Sequence, residues 1–402
     1  MFRIISRSIK SYTVIKPYVN VDVTLREIDY FKEIVNRRKL DVDMDEIAFF
    51  YDNLKRLAEV NSRLEAARAS ISGDIERLGP DGNEDEKRRL VMLAKTARED
   101  HKHVKSSLHD MEQSLIRLML RVPNVLHPET ADHDVISYCS EIPSNSNGCH
   151  LEIGKKLGLL DYRSPAAYFL KNEAAEFELE STADLVRTLK SEGYVGFANP
   201  DFVREIVLDV CSEANVRSMP LKKFDDDQDV HFVTGGASLL QFLAYFSQTS
   251  TAGAQLPLRC YSSGRHYGPV ADPAFGLYDV NQTNALQIFT LSDPRDERVE
   301  FDLIISKMTD FYKSQSIPFR VVVKKASDLC VAESLRINFE LYSPHFKRYF
   351  ECGHVSIYAS KISKVMNIRL LKGKSEFPNI ISGTIARVAP LLACILENRK
   401  CL

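Results

Sequence analysis

From Asp45 to Arg121 the chain reads DEIAFFYDNLKRLAEVNSRLEAARASISGDIERLGPDGNEDEKRRLVMLAKTAREDHKHVKSSLHDMEQSLIRLMLR. Phe50, Leu57, Leu64, Ile71 and Leu78 recur every seven residues, with Leu54 and Ile75 adding part of a second seam. The phase stops at Gly79-Pro80-Asp81-Gly82-Asn83, a strong turn cluster. A second phase follows through Leu90, Ala97, Val104, Met111 and Leu118, with Ala94, Leu108 and Leu115 beside it, and Pro123 closes it. Two heptad helices joined by a short breaker predict an antiparallel coiled coil, an arm reaching about 50 Å at 1.5 Å per residue.

The expected outer face of the arm is charged. It carries Lys55, Arg56, Arg63, Arg68 and Arg77, then Lys87, Arg88, Arg89, Lys95, Arg98, Lys102 and Lys105. Acids are interleaved, among them Glu59, Glu65, Glu76, Glu84, Asp85, Glu86, Glu99 and Asp100. Such a pattern suits the solvated face of a coiled coil. It also suits phosphate contacts along an RNA backbone, and composition does not choose between them. His101 falls on a seam position, and no carboxylate completes a metal-ligand spacing with His101, His103 and His109.

A net charge of −2 on 402 residues advertises no global nucleic-acid field, so any such function needs a local patch. The 8 cysteines form no C-x-x-C pair and suit a reducing compartment. No apolar run is long enough to span a membrane. Residues 1–20 differ from the rest: Arg3, Arg7, Lys10 and Lys16 accompany several serines, and the first acid is Asp22. Phe2, Ile5 and Ile9 share a helical face, which predicts a mitochondrial targeting segment and residence in the matrix.

Beyond residue 126 helical and strand-like stretches alternate. Ala183–Leu189 reads as helix, as do Phe202–Val210 and the apolar run Ile381–Asn398. Strands are expected at His231–Val233, Leu286–Leu291, Phe319–Val323, Ile337–Leu341, His354–Ala359 and Ile368–Leu371. The class is therefore α+β with an antiparallel-rich sheet flanked by helices. The run Asp225-Asp226-Asp227 with Asp229 reads as a solvated loop.

Several ordered segments carry a resemblance. They are Arg121-Val-Pro-Asn-Val-Leu-His-Pro, His150-Leu-Glu-Ile-Gly-Lys-Lys-Leu-Gly-Leu-Leu-Asp161 and Gly193-Tyr-Val-Gly-Phe-Ala-Asn-Pro200, then Gly276-Leu-Tyr-x-Val-x-Gln282 and Ile395-Leu-Glu-Asn398. In this order and spacing they resemble seryl-tRNA synthetase, a class II enzyme, from about Val23 to Asn398. Within that family the likeness is nearest to the inactive seryl-tRNA synthetase-like mitochondrial proteins of insects. The resemblance implies an N-terminal helical domain over 21–125 whose arm grips the variable stem of tRNA(Ser). It also implies a class II sheet domain over 126–402 and a dimer formed around Pro200.

The same resemblance implies that the chemistry is gone. The motif 2 Arg-x-Glu is Ser262-Ser263-Gly264, with Arg265 three residues late. The Thr-x-Glu that reads serine is Thr234-Gly235-Gly236. A later glutamate is Gln287, the motif 3 arginine is Pro390, and the asparagine of the serine loop is Ile357. Glu351 alone matches a family carboxylate that helps hold ATP, and it reads here as a surface or edge-strand acid. Each hydrogen bond to a charged group contributes about 1.5–3 kcal/mol. Losing at least five such partners removes roughly 5 kcal/mol, against about 4–8 kcal/mol for micromolar-to-millimolar binding. The family also usually continues past the Ile395–Asn398 segment into a tail over the active site, which Arg399-Lys400-Cys401-Leu402 does not supply.

The expectation is a non-catalytic tRNA-binding protein without cofactor or metal. An alternative is an accessory subunit, homodimeric or paired with an active mitochondrial seryl-tRNA synthetase; a further one is an enzyme of altered substrate.

Overall fold

A computed structural model describes residues 17–79, 83–142, 148–204, 207–208, 219–220, 231–252, 255–268, 271–371 and 377–399. Residues 1–16 of the basic leader, 80–82 of the turn, the acidic run 225–229 and the tail 400–402 lie outside them. Two compact units emerge. One comprises Val19–Val35 and Asp41–Val122; the other is built mainly from Pro123 onward and includes Asn36–Leu40.

In the first unit the two long helices are Met44–Leu78 and Glu84–Arg121. Asp43 caps the first, accepting from the backbone of Asp45 and Glu46 at 2.9 and 3.1 Å, and Asn83 caps the second. Acids in each first turn and Arg77 or Arg121 in each last turn complement the helix dipoles. Gly79 ends the first helix at φ 58°, a conformation open to glycine. The heptad residues Leu57, Leu64, Ile71, Leu90, Val104 and Leu118 are half-buried, whereas Arg56, Arg63, Arg77, Arg88, Arg89, Lys95, Arg98, Lys102 and Lys105 are exposed. His101 is buried on the seam: its Nδ1 lies 2.7 Å from Arg68 Nη1 and its Nε2 3.1 Å from Glu65 Oε1. Arg68 therefore does not sit on the outer face as expected. Its guanidinium reaches across the hairpin to satisfy a buried imidazole, and heptad counting alone cannot see a long side chain turning inward. Lys55 is tied to Asp22 at 3.3 Å and covers the ring of Tyr51.

The second unit is organised on an eight-stranded sheet. Its strands are β1 (Val135–Cys139), β2 (Val195–Phe197), β3 (Leu258–Tyr267), β4 (Gln282–Ser292), β5 (Phe319–Val323), β6 (Leu335–Ser343), β7 (Arg348–Ala359) and β8 (Asn379–Arg387). They lie in the order β1-β5-β6-β7-β8-β4-β3-β2, antiparallel throughout except β2, which runs parallel to β3 at the edge. Pleating divides the side chains. Tyr261, Leu286, Ile288, Ile337, Phe339, Val355, Ile357, Ile381 and Ile385 join the main core with residues of the helices Ala183–Ser191, Glu297–Ser314 and Val388–Arg399.

Two expected helices are corrected. Of the expected helix Phe202–Val210, Phe202–Arg204 is a strand paired antiparallel with His231–Val233, residues 207–208 are helical, and 205–206 and 209–210 lie outside the described residues; Phe202 is exposed and Val203 buried, the alternation of a half-buried strand. Residues 381–387 belong to β8, and the helix begins only at Val388. Both segments are buried all round, so the run shows no period to separate them. Gly383 marks the strand: a Cβ there would meet His354 O at 2.0 Å, so β7 and β8 approach as they do only because it is absent.

Candidate functional site

Part of the sheet face opposite the main core is polar, and Gly236, Ser262, Gly264, Gln287 and Glu351 gather there; farther along, the same face is apolar, with Phe289 stacked on Phe242 and Phe246. Cross-strand register aligns Ser262 with Gln287 and Gln287 with Thr384, and continues from Ser382 to Ser356 and from Ser356 to Arg336. Each group is satisfied within the chain. Gln287 Nε2 donates to Ser382 Oγ at 2.9 Å and its Oε1 accepts from Thr384 Oγ1 at 2.7 Å. Ser262 Oγ donates to Gly236 O at 3.0 Å.

Gly236 and Gly264 explain how a loop comes to lie on this face. Residues 234–237 are held to β3 by Ala237 N donating to Arg265 O at 3.1 Å and by His266 Nδ1 on Ala237 O at the same distance. Gly236 N donates to Asp201 Oδ1 at 2.8 Å, and Asn199 Nδ2 to Gly236 O at 3.2 Å. A Cβ on Gly264 would stand 3.8 Å from Gly236 Cα, so the two positions where the family resemblance expects carboxylates are packed against each other. Gly235, at φ +84°, could not carry a side chain: its Cβ would meet Arg265 O at 2.1 Å. Arg265 binds Glu178 at 3.0 Å, and its odd spacing from Ser262 and Gly264 on β3 turns it to the opposite face of the sheet, so it does not take the place of the missing arginine.

Glu351 is neither a surface nor an edge-strand acid. It stands on β7, an interior strand of the sheet, and is half-buried. Arg336 Nη2 reaches its two oxygens at 2.9 and 3.0 Å, and Asn338 Nδ2 donates at 2.8 Å. His354 Nδ1 lies 3.3 Å from Oε1, and Arg387 Nη2 3.9 Å. Burial pushes this carboxyl up, but Arg336, His354 and Arg387 together outweigh it and hold the pKa well below the ordinary range. Glu333 extends the network, accepting from Ser356 Oγ at 2.6 Å and from Cys330 N at 2.7 Å. Burial, reinforced by Arg387, lowers His266 to about 4, so that imidazole is neutral at physiological pH. The arrangement is a set of internal ion pairs and hydrogen bonds in which His354 Nδ1 and Arg387 Nε are left without a hydrogen-bond partner among the described residues. Sequence reasoning missed Arg336 and Arg387; their signal is an arginine alternating with apolar residues in Leu335–Ser343 and another closing the apolar run Asn379–Arg387, since arginines so placed are rarely buried unpaired.

Ile357 and Pro390 do not join this face. Ile357 points into the core, and Pro390 is buried in the first turn of the last helix. Pro200 is exposed just beyond the edge strand β2.

Three of the sequence segments with family resemblance meet elsewhere, in a fully buried knot. Glu397 Oε1 accepts from His150 Nδ1 at 2.7 Å, and its Oε2 from Tyr278 OH at 3.1 Å and from Ser343 Oγ. His150 Nε2 in turn accepts from Leu277 N at 3.0 Å, which fixes the proton on Nδ1. Gly276, at φ +58°, is required for this approach, because a Cβ would lie 2.5 Å from His150 Nε2.

Comparison with known proteins agrees with the architecture. Residues 223–399 match the family described as the tRNA synthetase class II core domain (G, H, P, S and T). Over 97% of its length the chain is 28% identical to the serine–tRNA synthetase-like protein Slimp of Drosophila melanogaster, covering 86% of that protein. It is 23% identical to the serine–tRNA ligase of Treponema denticola, with 92% of each chain covered. The seryl-tRNA synthetase of Pyrococcus horikoshii, solved in complex with ATP, superposes with a TM-score of 0.80 over 94% of each chain at 17% identity. Residues 223–399 thus match the class II tRNA synthetase core domain, in a chain that is similar to seryl-tRNA synthetases along nearly its whole length.

Proposed function

We propose that this protein is a non-catalytic relative of seryl-tRNA synthetase that binds a structured tRNA, tRNA(Ser) first among the candidates, through its helical arm. The observation that carries the reading is the polar sheet face. Groups that would have to meet ATP and serine are neutral or bonded to one another, and the loop at Gly236 lies on the strand at Gly264. Transition-state and substrate charges need preorganised, available partners; here Arg336 is committed to Glu351 and Arg265 to Glu178. The arm keeps a coiled-coil seam while presenting Arg63, Arg88, Arg89, Lys95, Arg98, Lys102 and Lys105 to solvent, as a backbone-reading surface requires.

Isothermal calorimetry with ATP and serine tests the first half. No saturable heat below about 1 mM is expected, since the lost contacts are worth as much as ordinary substrate binding. A stoichiometric sub-millimolar ATP site, or serine-dependent ATP–pyrophosphate exchange, would refute it.

The basic, acid-free residues 1–20 support a mitochondrial matrix setting for this activity. Removing residues 2–20 should leave a tagged chain in the cytosol; unchanged import would mean that the address lies elsewhere.

A further inference from the structure

The second arm helix contains four consecutive apolar residues, Leu90-Val-Met-Leu93. Successive helical residues rotate by about 100°, so four in a row cannot all face one seam. Leu90 does, and is half-buried; Val91, Met92 and Leu93 are left 53%, 74% and 47% exposed. Val91 and Met92 lie in a shallow depression of about 500 Å³ bounded by Glu84, Lys87, Arg88 and Lys95. The spacing 84, 87, 88, 91, 92, 95 is one continuous helix face, apolar in the middle and cationic to either side. Heptad packing within the hairpin does not use this face, and the lone acid sits at its end nearest the turn.

We propose that this stripe docks an amphipathic helix of another protein, apolar along its centre and acidic along its edges. On a face spaced i, i+3, i+4, i+7, i+8, i+11, two aliphatic groups, Val91 and Met92, are set between cations one turn before and one turn after, a spacing by which one helix reads another, and Lys87, Arg88 and Lys95 select a negatively charged partner. Other occupants fit less well. A-form RNA offers phosphates and hydroxyls but no apolar ridge, and unpaired bases choose aromatic platforms, which this face lacks. A second copy of the arm, packed about a two-fold axis so that Val91 and Met92 meet their own counterparts, brings Arg88 opposite Lys95, like against like. Val91 and Met92 are uncharged, so the inference stands whether or not the neighbouring cations also hold tRNA.

The test uses the full chain and two labelled helical peptides of about 20 residues. Both carry the same Leu/Ile stripe; one has glutamate on its edges and the other lysine. By fluorescence anisotropy the glutamate peptide should bind at least about tenfold tighter than its lysine counterpart. The double variant Val91→Gln with Met92→Gln, which keeps good helix formers, should lose about tenfold or more of that binding while its tRNA affinity and helicity are unchanged. Equal affinity for the two peptides, or full binding by the double variant, would overturn the proposal. A fall in tRNA affinity in that variant would reassign the stripe to RNA. Conversion of a self-associated chain to a smaller species would reassign it to a second copy.

Discussion

Replacing Glu397 with alanine should cost about 4–5 kcal/mol of folding stability, a large share of the roughly 5–15 kcal/mol a folded domain has to lose. His150, Glu397, Tyr278 and Ser343 are buried, His150 and Glu397 completely so. The alanine variant strands the His150 Nδ1 proton, the Tyr278 hydroxyl and the Ser343 hydroxyl at once, and opens a void under the last helix. Burial pushes the Tyr278 phenol well above its ordinary pKa, so it remains a donor with nothing to receive it. Tyr278 is also stacked on Phe350 at 4.3 Å, so its displacement spreads into the aromatic core. Glu397→Gln should fall between: shape is kept, but the amide presents protons where Tyr278 or His150 already donates. Urea unfolding at neutral pH reads the effect as a shift in midpoint at constant slope. A loss below about 1 kcal/mol for alanine would show that the knot does not hold the helix Val388–Arg399 in place.

Restoring a family-like carboxylate at Gln287 should destabilise the protein by about 3 kcal/mol, without creating ATP binding. Gln287 is buried with every polar atom engaged. Ser382 Oγ donates its proton to Ile288 O at 2.5 Å, so it can only accept from the Gln287 amide. Gln287→Glu would therefore set a carboxylate oxygen against the Ser382 oxygen, with the Thr384 hydroxyl as its one remaining donor among these partners. A buried acid so placed stays protonated or forces the strands apart. The measurement is again the urea midpoint, paired with calorimetry against ATP. A variant as stable as the parent would show that the face still accommodates a charge there, and recovery of ATP binding would show that the pocket is one substitution from function.

Most of the fold was legible because it is written in periodicity and in a few packing motifs. The seam from Phe50 to Leu118 gives the hairpin. The segments around His150, Gly276 and Glu397 keep family resemblance because they build one interlocked core, where a change in any member strands the others. The apolar run from Ile381 reads as helix throughout, since a strand buried on both faces and a buried helix look alike in sequence; the close approach of Gly383 to His354 separates them. Glu351 was misplaced for a related reason: its environment is made by Arg336 and Arg387, one strand away on each side and remote in sequence. Arg68 shows the same limit inside the arm, where only tertiary contact reveals that it serves His101. The sequence differences on the polar face could be found by matching motifs. That they are knitted together by a loop lying on Gly264 could not.

The most direct test of a tRNA-binding arm without chemistry is a filter-binding titration of tRNA(Ser) transcript over a range of salt concentrations. The full chain is compared with a variant whose exposed arm cations Arg63, Arg89, Arg98, Lys102 and Lys105 are changed to glutamine. These side chains face solvent, so the hairpin should persist, which circular dichroism checks. Binding by the parent should weaken steeply with salt, the log–log slope counting the phosphates neutralised at about 0.9 or less per contact. The variant should lose at least about tenfold in affinity and show a shallower slope. Equal binding by both proteins, or binding indifferent to salt, would contradict the account and leave the arm as a scaffold.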